Sequence, residues 1–90
     1  MASVKVKIAG EDKKDIEFDI NLLNLKDRGR LNLVYHQGEL SSPMDWGKFA
    51  DVCIMATSYS EEELNEFTDV EIILMAKECY LANNKKKLKK

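Results

Sequence analysis

Apolar and polar residues alternate strictly in two early stretches of the chain. Val4, Val6 and Ile8 are separated by Lys5 and Lys7, and Ile16, Phe18 and Ile20 are separated by Glu17 and Asp19. A period of two leaves one face of a strand dry and the other wet. Pairing the stretches antiparallel, with Val4 opposite Ile20, Val6 opposite Phe18 and Ile8 opposite Ile16, stacks the apolar residues. The same register sets Lys5 beside Asp19 and Lys7 beside Glu17, so the core face and the charge pairs agree. The connection AGEDKKD supplies Gly10 and polar residues for a loose turn. A lone hairpin is marginal in water and has two open edges. The helices expected to start at Pro43 and Asp69 must therefore cover its apolar face.

After the hairpin the pattern changes to helical spacing. Asn24 is placed to cap a helix starting near Leu25, with Asp27 in its first turn. Leu31, Val34 and Leu25 are expected on its inner side. Gly29 marks a point of close packing, and Gly38 marks the helix end. In SSPMDWGKFADVCIMATS, Ser42 reads as a cap, Pro43 as the first helical residue and Asp45 as a first-turn acid. Trp46, Phe49, Ala50, Cys53 and Ala56 then follow at helical spacing, with Val52 and Met55 widening the stripe. Ser60 with Glu63 and Thr68 with Glu71 both fit the capping-box pattern. The last helix carries Val70, Ile72, Ile73, Leu74, Met75, Ala76, Cys79, Tyr80 and Leu81, apolar on more than one side. Such a helix is either central in its own fold or shared with another chain. The pattern predicts an α+β fold, an N-terminal antiparallel β-hairpin packed on three to four α-helices. Residues 1–84 form one domain and residues 85–90 a basic C-terminal tail.

Charge refines this picture. The 90 residues carry a formal net charge of −2, but five of the 14 basic side chains are Lys85, Lys86, Lys87, Lys89 and Lys90. Without them nine basic residues face 16 acidic ones, a body of about −7. An acidic body is not the footprint of a nucleic-acid-binding domain, so any attraction to phosphate would come from the tail, joined by Arg28 and Arg30. Without interleaved aromatic residues the tail would read no base. The lysines scattered among the acids likewise leave no continuous acidic face that could mimic nucleic acid. No run reaches the ~18 apolar residues of a membrane span, and MASVKVKIAG lacks the apolar stretch of a secretory signal. A cytoplasmic protein is expected.

The search for chemistry finds little. Cys53 and Cys79 fall on apolar helix stripes, outside any CxxC and far along the chain from the single histidine, so they read as core thiols and not as a zinc site or disulfide. His36 near a helix end reads as a surface or capping residue. No nucleophile elbow, phosphate loop, zinc-protease helix or dinucleotide fingerprint occurs. The acids Glu61, Glu62, Glu63 and Glu66 lack the ligand alternation of a calcium loop and suit a helix start. No enzyme activity, cofactor, metal or small-molecule substrate is expected.

In their order, IEFDINLLNLKDRGRL, MDWGKFADVCIMAT and LNEFTDVEIILMAKECYLA resemble the small tail-assembly chaperones of long-tailed bacteriophages, over about residues 4–82. The resemblance lies in element order and not in an invariant motif, so no functional residue carries over. It implies a non-catalytic role in a bacterial host cytoplasm: coating the long helical tape-measure protein during tail assembly, then giving way to tail-tube subunits. The basic tail departs from the acidic C-terminus such proteins have. On this reading Trp46, Phe49, Val70, Ile73 and Leu74 are the expected protein contacts, and the protein is an oligomer. The competing expectation is a small regulatory or nucleic-acid-associated protein using the lysine tail with Arg28 and Arg30.

Overall fold

The computed structural model describes residues 3–11, 14–43 and 45–84; the lysine tail lies outside them. Two strands, β1 (Ser3–Ala9) and β2 (Asp15–Asn21), are followed by α1 (Leu25–Leu40), α2 (Trp46–Ala56), the single turn α3 (Glu61–Leu64) and α4 (Asp69–Asn83). The fold is α+β, a two-stranded antiparallel sheet packed with four helices.

The hairpin adopts the register its alternation demands, with Val4 opposite Ile20, Val6 opposite Phe18 and Ile8 opposite Ile16. The Lys5 ammonium stands 3.5 Å from Asp19 as expected. Lys7, however, reaches diagonally to Asp15 at 3.8 Å instead of to Glu17 directly opposite. Both pairs are exposed and contribute little. At the turn the Gly10 N–H donates to the Lys14 carbonyl at 2.7 Å. A Cβ on Gly10 would stand 2.6 Å from that carbonyl oxygen and 2.9 Å from Glu71 Oε2, so glycine is required by close approach.

Both capping boxes form. Ser60 and Glu63 exchange bonds of 2.8 and 3.2 Å, and Thr68 and Glu71 exchange bonds of 2.9 and 3.2 Å. Glu71 also acts at long range, since its other carboxylate oxygen accepts the Glu11 N–H at 2.9 Å and ties the hairpin turn to the start of α4. The backbone bond from Thr68, then that from Glu11, holds the Glu71 carboxyl below the usual value of 4.5. A carboxyl depressed on folding stabilises the native state above its unfolded value and loses that contribution as pH falls through the folded value. Urea midpoints are therefore expected to fall for Glu71→Gln at neutral pH, with the gap to the wild type closing in acid below the depressed value.

α4 explains its own hydrophobicity: it packs against β1, α1 and α2. Ile72, Met75, Ala76, Cys79 and Asn83 are buried on it. The helix is central in its own fold. Of the two helices expected to cover the hairpin, α4 makes the close approach to β1, while α2 packs mainly on α1 and α4 and adds Val52, Cys53 and Ala56 to the one core that holds Ile8, Phe18 and Ile20. A two-stranded ribbon is only about 10 Å wide and spans one helix. Tyr59, between α2 and α3, completes the cover by packing on Phe18 and Phe67, with ring centroids 6.3 and 5.4 Å apart.

Three local expectations change. α2 begins at Trp46 with Asp45 as its cap, whose carboxylate accepts the Gly47 N–H at 3.0 Å; Ser42 and Pro43 precede the helix. The Asp45 N–H donates to the Gly38 carbonyl at 3.2 Å, which fastens the connection to the end of α1 before α2 starts. The two glycines of α1 exchange roles. The helix runs through Gly38 to Leu40, and Gly38 is buried where a Cβ would stand 3.0 Å from Lys48 Cβ, whereas Gly29 has open space around it. Leu25 points outward.

The C-terminal end of α4 is clamped by asparagines. Asn83 Oδ1 accepts the Leu23 N–H at 2.7 Å, and its Nδ2 donates to the carbonyls of Asn21 at 3.2 Å and Cys79 at 3.1 Å. Asn32 and Asn84 exchange two amide bonds of 2.8 and 2.6 Å. Cys53 and Cys79 are buried free thiols, as expected of core residues. The hydrogen bond to Cys53, with burial, pushes the Cys79 thiol far above its ordinary value, out of the range of a reactive thiolate.

Candidate protein-docking surface

α1 begins where Asn24 accepts the Asp27 N–H at 2.9 Å. Its inner face carries Leu31, Tyr35 and Gly38, with Val34 half-buried. At roughly 100° per residue, positions 25, 29, 33, 36 and 40 gather on the opposite side. That side holds Leu25, Leu33 and Leu40, exposed by 74%, 59% and 84%. Single exposed leucines are ordinary on a protein surface. Three on one face of a 16-residue helix, with a bare Gly29 among them, make a seam of the kind that receives another helix. Through Leu33 the seam joins a groove of about 390 Å³ between α1 and α2, walled by Val34, Ile54 and Met55 with Arg30 and Asp51 at its rim.

A second apolar groove, of about 580 Å³, opens between the β1 strand and the end of α4, lined by Val4, Val6, Leu22, Leu81 and Ala82 with Lys5 and Glu78. The residues expected to make protein contacts divide. Phe49 is corrected outright: at 1% exposure it fills the core, stacked edge-on against Tyr35 at 5.6 Å. Its place on the inner stripe of α2 gave it no way out. Ile73 and Leu74 are half-buried against the core. Trp46 and Val70 are exposed by 42% and 46%. Trp46 shares a shallow pocket with Ala50, Leu64 and Ile72, while Val70 sits about 200° around α4 from Ile72. The five do not form one surface. The seam on α1 was missed, although the leucine spacing of eight and seven that builds it, two helical turns each, is present in the sequence.

Arg28 and Arg30 are separated as well. Two positions apart on a helix, they diverge by about 200° and do not converge on one phosphate. Lys85, Lys86, Lys87, Lys89 and Lys90 lie outside the described residues. His36 bridges two helices at the surface, its Nε2 3.2 Å from the Tyr80 hydroxyl and its Nδ1 3.4 Å from Glu39. Tyr80 also stacks on Tyr35, ring centroids 4.4 Å apart. This cluster fastens α1 to α4 at the surface, apart from the two grooves described above. Among the described residues no group of three or more His, Cys, Asp or Glu is arranged to hold a metal, and no helix is long and apolar enough to cross a membrane.

The chain matches no protein-family model, no curated protein and no solved structure.

Proposed function

We propose that this chain is a non-catalytic assembly protein of the tail-chaperone type, which holds a long, tape-measure-like helical partner on an apolar surface and acts as an oligomer. The observation that carries the reading is the second apolar face of α1. The inner face already satisfies the fold, so Leu25, Leu33 and Leu40 add nothing to it. Leucines held in water on a rigid helix cost solubility, and a partner helix that covers them recovers ~25 cal/mol for each Å² removed from water. A chaperone that must later give way needs such contacts: broad enough to mask a helix and dominated by apolar area.

Co-expression with a tape-measure-type helical segment tests this. The helix is expected to stay soluble in a complex holding several copies of the chain, measured by light scattering on a sizing column. Leu33→Glu should return the helix to the pellet while leaving the thermal melt of the chain itself nearly unchanged. A helix that stays insoluble with the wild type, or is rescued equally by Leu33→Glu, contradicts the reading.

A further inference from the structure

The outer face of α1 carries charge as well as leucine. Lys26, Arg28 and Arg30 fall in its first two turns. Among the described residues the ion pairs join Lys5 to Asp19 and Lys7 to Asp15, His36 lies beside Glu39, and none of these contacts engages the three cations. By helical geometry Lys26 and Arg30 flank the leucine seam on one side and Arg28 flanks it on the other. The acids of α1 are Asp27, at the N-terminal cap, and Glu39, which faces His36. A chain whose body is acidic thus borders the first half of its most exposed apolar seam with three cations, with Asp51 of α2 the acid that shares the adjoining groove with Arg30.

We propose that the occupant of this seam is an amphipathic helix whose apolar stripe is flanked by aspartates or glutamates, and that it crosses α1 at Gly29. This rests on the helix-docking reading above and adds the partner's chemistry to it. The crossing point follows from Gly29, where open space and the absent Cβ let a second backbone approach more closely than anywhere else along the seam. The flanks follow from complementarity: acids on the partner meet Lys26, Arg28 and Arg30, steering the encounter and fixing its register. A second copy of α1 satisfies this poorly. Laid antiparallel, it offers Glu39 and, from the groove rim, Asp51 to three cations, and Glu39 already faces its own His36. Nucleic acid fits less well still, since leucines occupy the centre of the face and the two arginines point apart.

Three synthetic helical peptides test the proposal on the full chain. They share one leucine and alanine stripe and differ only in flanking residues, Glu, Gln or Lys, with binding followed by fluorescence anisotropy. With two or three exposed pairs formed or reversed, the Glu peptide is expected to bind about tenfold tighter than the Gln peptide and tighter still than the Lys peptide. Its advantage should shrink at high salt. Lys26→Glu combined with Arg30→Glu should invert the order. Gly29→Leu, which the open space tolerates, should weaken the Glu peptide by about tenfold by blocking the crossing. Equal affinity for all three peptides would leave helix docking standing and overturn the charge rule. Binding of none would overturn both. A single-stranded DNA oligonucleotide that displaces the Glu peptide, or a dimer of the chain that excludes all three peptides, also overturns the proposal.

Discussion

Asn83→Ala is expected to lower the free energy of unfolding by about 3 kcal/mol, because each buried backbone group left without a partner costs about 1–3 kcal/mol. The Asn83 side chain accepts from the Leu23 N–H and donates to the Asn21 carbonyl, so one amide closes the end of β2 onto the last turn of α4. Asn83 is buried, and alanine would leave that N–H and carbonyl facing a methyl group with little room for water. Asn84→Ala is the matched control. Its partner Asn32 is only part-buried and can turn to solvent, so a loss of about 1 kcal/mol is expected. Urea denaturation of both variants gives the comparison; equal losses would contradict the clamp.

The two glycines of α1 are expected to respond with opposite sign. Gly38→Leu should cost about 2–3 kcal/mol by overpacking. Even its first carbon would meet Lys48 Cβ at 3.0 Å and both the Asp45 carbonyl and a Phe49 ring carbon at 3.4 Å. The remaining carbons would have to part α1 from α2. Gly29→Ala should instead stabilise the chain by about 0.5–1 kcal/mol, the ordinary advantage of alanine over glycine in a helix. Nothing lies within 4 Å of the added carbon at Gly29. A loss of stability at Gly29, or tolerance at Gly38, would mean that the contact between α1 and α2 is misplaced. The pair also bears on the proposed function: Gly29 weakens its own helix without a packing reason in the monomer, which suits the proposed approach of a partner there.

The legible parts of this fold are those where one local pattern has one solution. Alternation of Val4, Val6 and Ile8 against Ile16, Phe18 and Ile20 leaves a single register that pairs all six with one another. Ser60 with Glu63 and Thr68 with Glu71 close their boxes within four residues and need nothing distant. Reading failed where distant contacts chose among local options. Ser42 reads as the cap and Asp45 as a first-turn acid, but the bond from the Asp45 N–H to the Gly38 carbonyl holds Asp45 outside the helix, where it becomes the cap. Gly29 and Gly38 look alike in sequence, and only the approach of α2 separates them. Asn83 carries no local sign of its role, because its partners, Asn21 and Leu23, are 62 and 60 residues away. The docking residues were sought where hydrophobicity was densest, and density marks the core: Phe49 fills it and α4 runs through it. The proposed surface lies on the helix with the weaker signal, whose apolar residues are split between two faces and so cancel when read as one stripe.

The central claim is that a partner helix lies along Leu25, Leu33 and Leu40. The most direct measurement is methyl NMR of leucine- and valine-labelled protein, titrated with the tape-measure-type helix or the Glu-flanked peptide. The account predicts that the methyl signals of Leu25, Leu33 and Leu40 shift together and saturate at one affinity, while those of Val4, Leu22 and Leu81 stay in place. Shifts confined to Val4, Leu22 and Leu81 would move the docking site to the groove beside β1 and contradict the account.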